Sequence, residues 1–214
     1  MTHIVNAPIL TLSEASRHLL IPKATLHAWV SPADQADALV HRVDPMKRGW
    51  PTIPFVGVVE AHVLRMLRQE LHLSMRKVRE AALTVRREFD TPYALATKKI
   101  ATDGVDIFVQ FADGDLARAS DRQMPIRALI DEHLRFIKWG DDQWPQAITL
   151  QQFSDIAPVI IDPRFAWGRP VVESTRTPVA AIVNMWRAGD SMDLIAEEFD
   201  LTRVQVEAVC RAAA

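Results

Sequence analysis

Cysteine is almost missing from this chain. Cys210 is the one thiol among 214 residues, so no disulfide can form within it. A fold that does without disulfides suits a reducing compartment. With no histidine partner pattern beside it, Cys210 reads as a buried helix residue. Long apolar runs are missing too, and nothing approaches the roughly 20 residues that a membrane-spanning helix needs. The opening MTHIVNAPIL has neither a basic start nor a sustained apolar run. No signal peptide is therefore expected, and the expected location is the cytoplasm, away from any membrane. Catalytic signatures are also lacking: there is no GxxxxGK[ST], GxGxxG, HExxH or CxxC. His18, His27 and His41 lack metal-ligand spacing with cysteines, and Asp141-Asp142 and Asp113-Gly114-Asp115 look like turn acids. No catalytic residue, metal or cofactor is expected, and the chain does not read as an enzyme.

What is present suits packed domains. Hydrophobic residues make up 49% of the chain, enough for a sizeable core and too many for wholesale disorder. The net charge of −2 hides an asymmetry: residues 1–90 carry 12 Lys+Arg against 9 Asp+Glu, while 151–214 carry 6 against 9. A mildly basic head on an acidic body suits contact with a polyanion at one end.

The clearest local syntax lies in residues 11–30, TLSEASRHLLIPKATLHAWV. Thr11 followed by Glu14 is a capping-box pattern. Ile21-Pro22 ends the first helix, because proline disfavours helical geometry in the residue before it, and Pro22 suits the first turn of a second helix. Two short helices across a tight turn form a helix-turn-helix. The segment HRVDPMKRG reads as the tip of a β-hairpin wing, with Asp44-Pro45 and Gly49 as turn formers. Residues 55–71 show helical periodicity through Val59, Val63, Leu64, Leu67 and Leu71. A further helix from Ser74 turns Val78, Ala81, Ala82 and Val85 inward. In the middle, 99–104 and 105–111 read as strands around Asp-Gly turns; residues 126–137 suit a helix or a strand-flanked helix.

The C-terminal region is the most patterned. IDPRFAWGRPVVESTRTPVAAIVNMWRAG reads as a small hairpin followed by an apolar helix, with Gly168 at a positive-φ turn, Thr177 as N-cap and Pro178 at the first helical position. SMDLIAEEFDLTRVQVEAVCRAAA adds more helix. The expected architecture is mainly α with small β elements. It comprises a winged helix-turn-helix domain over 1–90, a small β-containing segment over 91–150 and a C-terminal three-helix, helix-turn-helix-like domain over 151–214.

Specific motifs add a resemblance. Ile161-Asp162-Pro163, Gly168-Arg169-Pro170-Val171, Thr175-Arg176-Thr177-Pro178-Val179, Ala188-Gly189-Asp190-Ser191 and Ile195-Ala196 together resemble the bacterial family first catalogued as domain of unknown function 433. The N-terminal part resembles winged helix-turn-helix heads of the MerR type, through Phe55-Val56 and the helix pair that follows. The combined order resembles the longer VapB-type antitoxins, which pair with PIN-domain ribonuclease toxins. The resemblance implies binding to its own promoter DNA, autorepression and capture of such a toxin.

Candidate contacts follow from residue types. A recognition helix presents its N-terminal residues to base edges, which points to Lys23, Thr25 and His27. Arg42, Lys47 and Arg48 would neutralise phosphates from the wing, and Arg76 and Lys77 from the later helix. The same residues also suit ordinary solvated faces. Arg164, Arg169 and Arg176 surround the C-terminal hairpin, where guanidiniums could grip a partner's carboxylates or pair with Asp162 or Glu173. Trp186 joins them as a partner contact, while Trp50, Trp139, Trp144 and Trp167 read as packing anchors. A homodimer is expected, because such heads read two half-sites. The rival readings are a protein-interaction adaptor that never touches nucleic acid and a MerR-like regulator without a toxin.

Overall fold

The structure, a computed structural model, describes residues 5–31, 38–45, 47–69, 72–104, 106–108 and 126–213. It divides into two compact units, Met1–Pro145 and Gln146–Ala214.

In the first unit, strand β1 (Pro8–Leu10) leads into helix α1 (Leu12–His18). The expected capping box is there: Glu14 N–H donates to Thr11 Oγ1 at 3.2 Å and Thr11 N–H donates back to Glu14 Oε2 at 2.8 Å. The turn passes through Leu20 in the left-handed region (φ 53°) and is stitched by Ser16 Oγ donating to the Ile21 carbonyl at 2.7 Å. Pro22 is the N-cap of helix α2 (Lys23–Val30), which buries Leu26, Trp29 and Val30. The Trp29 carbonyl accepts the N–H groups of both Leu39 and Val40, at 3.0 and 3.2 Å.

Strand β2 (Ile53–Pro54) pairs antiparallel with β1 and runs straight into helix α3 (Phe55–Gln69). Almost every α3 side chain up to Leu67 is buried, so this helix is the axis of the unit. Helix α4 (Met75–Glu88) is capped by Ser74 and buries Val78, Ala81, Ala82 and Val85, the four residues expected. Two 3-10 turns, Ala94–Ala96 and Lys98–Ala101, follow; the first packs on α3 and α4. Residues 103–104 and 106–108 are also helical. The strands read over 99–108 are therefore overturned. Their backbone closes locally, with Ile100 N–H donating to the Thr97 carbonyl at 3.0 Å and Thr102 N–H to the Lys99 carbonyl at 3.2 Å, and the turns bury Ile100 and Phe108. The second Asp-Gly turn, at Asp113, lies outside the described residues. Helix α5 (Ile126–Leu134) and strand β3 (Ile137–Trp139) complete the unit.

The wing also departs from expectation. Among the described residues no strand lies between 41 and 49. Val43 N–H donates to the Thr52 carbonyl at 2.9 Å, Trp50 N–H closes a turn on Lys47 at 3.1 Å, and Gly49 has φ 87°. Pro45 has no N–H for a ladder, and the backbone N–H of His41 is turned onto a carboxylate of α3 at 2.7 Å. The segment is a loop pinned to a helix, and the ribbon β1–β2 is the sheet at its base.

In the second unit, β4 (Pro145–Thr149), β5 (Val159–Ile161) and β6 (Val171–Val172) are antiparallel neighbours, with Ile148 opposite Ile161 and Ile160 opposite Val171. Ala147, Ile160 and Val171 form a small core against which Phe165 and Ala166 pack. Helix α6 (Val179–Ala188) ends at Gly189 in the left-handed region (φ 97°). Helix α7 (Met192–Phe199) is capped by Ser191, and α8 (Arg203–Ala213) by a reciprocal Thr202–Gln205 pair. The three helices pack together as expected. Thr177 is not the N-cap of α6: its carbonyl accepts from Val172 N–H at 2.8 Å and so belongs to the hairpin, which delays the helix by one residue and leaves Pro178 as cap. Cys210 is buried, and burial pushes its thiol pKa up.

Candidate nucleic-acid interface and C-terminal hairpin

Helix α2 exists because Pro22 sets its entry and Leu26, Trp29 and Val30 give it an inward face. The opposite face leaves Lys23 and His27 exposed and Thr25 half-buried. Behind Thr25 is a cleft of about 380 Å³, lined by Ile21, Pro22, Trp29, Arg65, Arg68 and His72 among others. Arg65 Nε donates to Gln69 Oε1 at 2.7 Å and Arg68 donates to the Leu73 carbonyl at 2.6 Å. These two arginines were not anticipated as neighbours of α2. The available signal was their i, i+3 spacing as the two arginines of a largely apolar helix.

Arg42 comes to the far end of α2, where its guanidinium donates to Ser31 Oγ at 3.3 Å. Lys47 lies 5.7 Å from the centre of the Trp50 ring, and Arg48 is exposed on the same turn. Trp50 itself is 48% exposed, so it is a cation partner and no packing anchor. Arg76 pairs with Glu80 one helical turn on, at 3.5 Å. The backbone N–H of Lys77 donates to the Ser74 cap at 3.4 Å. The geometry gathers Lys23, Thr25, His27 and Arg42 on one helix and its end, with Lys47 and Arg48 on the loop that continues from Arg42.

What fixes that loop is a buried polar cluster. Glu60, fully buried on α3, accepts the His41 backbone N–H at 2.7 Å and faces His41 Nδ1 at 2.7 and 2.9 Å. Arg86 from α4 stands 3.8 Å from the same carboxylate and donates to the carbonyls of Ala38 and Leu39 at 2.8 and 3.1 Å. Tyr93 covers the His41 ring at 4.4 Å. Gly57 completes the fit, because a Cβ there would lie 2.5 Å from the His41 carbonyl oxygen. Arg86 is thus an internal clamp.

In the second unit, Arg164 makes a two-pronged pair with buried Asp162, at 2.9 and 2.7 Å, and its backbone N–H donates to the same carboxylate at 2.9 Å. The Asp162 pair expected as an option for the hairpin arginines therefore falls to Arg164. Arg176 (φ 62°) stacks on Phe165 at 4.8 Å, while Arg169 is exposed. Gly168 has the expected positive φ, 77°. Trp186 is half-buried on α6. Trp167, expected as a packing anchor, is 90% exposed, because its left-handed backbone (φ 57°, ψ 32°) turns it off the sheet. Among the described residues no group of three His, Cys, Asp or Glu side chains is placed to hold a metal, and no helix is long and apolar enough to cross a membrane.

Comparison with known proteins matches both regions. Residues 159–211 match the family described as "Protein of unknown function (DUF433)", and residues 8–82 match the family described as "Putative DNA-binding HTH domain". The chain is 28% identical over 222 residues to a Mycobacterium tuberculosis protein named "Putative antitoxin VapB45", covering 94% of this chain and 92% of that protein. The crystal structure of Rv2018 from Mycobacterium tuberculosis superposes with a TM-score of 0.79 at 28% identity, covering 95% of this chain and 97% of that one.

Proposed function

We propose that this chain is the antitoxin of a type II toxin–antitoxin pair: it binds its own promoter DNA as an autorepressor and neutralises a PIN-domain ribonuclease toxin in the cytoplasm. The observation that carries the reading is the exposed α2 face, on a segment matching a family described as DNA-binding, within a chain similar along most of its length to a protein named as an antitoxin. In this reading Lys23, Thr25 and His27 enter the major groove. Arg42, Lys47 and Arg48 then track the phosphates beside them, with Arg76 and Lys77 as outlying backbone contacts. Arg164, Arg169, Arg176 and Trp186 face the toxin. A homodimer presents two copies of α2 to two half-sites.

The test is a mobility shift with the chain's own upstream DNA over a salt series. Substituting Lys23→Ala with Arg48→Ala removes a groove contact and a phosphate contact, so the log–log salt slope falls by about 1 and binding weakens at every salt. An unchanged slope overturns the assignment of these two residues. The second reading, an adaptor that never touches nucleic acid, draws on the near-neutral charge of −2. It predicts no shift at low salt, with or without the protein encoded by the adjoining reading frame.

A further inference from the structure

The hairpin loop of the second unit contains a residue that its own fold does not need. Ala166 and Trp167 have φ 46° and 57°, followed by Gly168 at 77°, so two residues with side chains stand in succession where glycine is at ease. The loop is held there by Phe165 N–H to the Asp162 carbonyl at 3.0 Å, Gly168 N–H to the Phe165 carbonyl at 2.8 Å and Arg169 N–H to the Ala166 carbonyl at 3.1 Å. The Asp162–Arg164 pair locks its entry. Trp167 gains nothing from this confinement in the core, being 90% exposed. Strain of this kind persists where the surroundings over-determine it and where the displayed side chain has a use outside the fold.

The surroundings of the indole say what it meets. Arg164 and Arg176 lie 5.8 and 4.8 Å from the Phe165 ring, and Arg169 is exposed two residues beyond Trp167. Three of the six cations in residues 151–214 thus sit on this one hairpin, against nine acids in the same stretch. An exposed tryptophan on a hairpin that also carries Arg169 and Arg176 is complementary to an apolar socket edged with carboxylates. The geometry points to Trp167 as the anchor of the second unit on an acidic protein partner, its indole filling an apolar pocket while Arg169 and Arg176 meet flanking carboxylates. This rests on the antitoxin reading, in which that partner is the toxin.

The experiment titrates the full-length chain with the purified protein encoded by the adjoining reading frame. Trp167→Ala is expected to weaken binding at least tenfold. Trp167→Gly is expected to lose binding to a similar degree while melting at or above the wild-type temperature, because glycine relaxes the left-handed backbone. A purely structural tryptophan would lose both together. If the wild type binds and Trp167→Ala binds within twofold of it, the anchor is wrong while the antitoxin reading stands. Absence of binding by the wild type overturns both. A drop in oligomer mass by sedimentation for Trp167→Ala, or a weakened DNA shift, assigns the indole to a second copy or to nucleic acid and overturns the proposal as well.

Discussion

Replacing Glu60 with alanine tests how the cationic loop is held, and the size of the effect can be worked from contacts. The carboxylate is fully buried, accepts the His41 N–H at 2.7 Å and stands 3.8 Å from an Arg86 guanidinium that is itself only 13% exposed. Arg86 Nε already lacks a partner among the described residues, so loss of the acid leaves a buried cation supported by two carbonyls alone. Removing one member of a buried pair costs about 3–5 kcal/mol, and an orphaned buried N–H about 1–3. The two overlap, so the expected loss is about 3–5 kcal/mol. Urea unfolding followed by tryptophan fluorescence reads it. Because Glu60 lies in the first unit, a transition belonging to the second unit should stay where it is. Operator binding should weaken as well, since His41 precedes Arg42 on the tethered segment. A loss below about 1 kcal/mol, with normal DNA affinity, refutes the idea that this cluster fixes the loop.

Two further outcomes follow. Gly57→Ala should destabilise by about 1–3 kcal/mol, because the new Cβ collides with the His41 carbonyl oxygen at 2.5 Å; without that collision, the same change within a helix would stabilise by about 1 kcal/mol, so the sign of the shift in denaturation midpoint decides. Acid should weaken the first unit early. Burial lowers the pKa of His62 and of His18 from 6.5 to about 4, so between those values the unfolded chain binds protons that the folded one refuses, and stability falls as pH drops from about 6.5 toward 4. Each imidazole contributes a slope of up to about 1.4 kcal/mol per pH unit, less for His18, which is only half-buried; thermal melts of His62→Gln should show a flatter acid limb, and an unchanged limb would discard the assignment.

The parts legible in sequence were those with local rules. Thr11–Glu14 announced a capping box, Pro22 a helix entry and Gly168 a positive φ, and all three are determined by a few neighbouring residues. The inward set of α4 and the three C-terminal helices were legible because apolar spacing repeats. Residues 99–108 were misread because a run such as Val105–Phe108 suits a strand, whereas the backbone closes on itself, Ile100 N–H on Thr97 and Thr102 N–H on Lys99. The wing failed for a long-range reason: His41 is taken by Glu60, nineteen residues away, before it can join a ladder. Trp167 was misplaced because composition favours buried tryptophan, whereas its exposure depends on two consecutive dihedral angles.

The doubly employed carbonyl of Trp29 has a mechanical meaning. Because one oxygen tethers the amides of both Leu39 and Val40, the end of the reading helix and the start of the cationic loop cannot be displaced separately. On the proposed operator the head would therefore tilt as a single key, leaving any mismatch in groove geometry to be absorbed by the duplex.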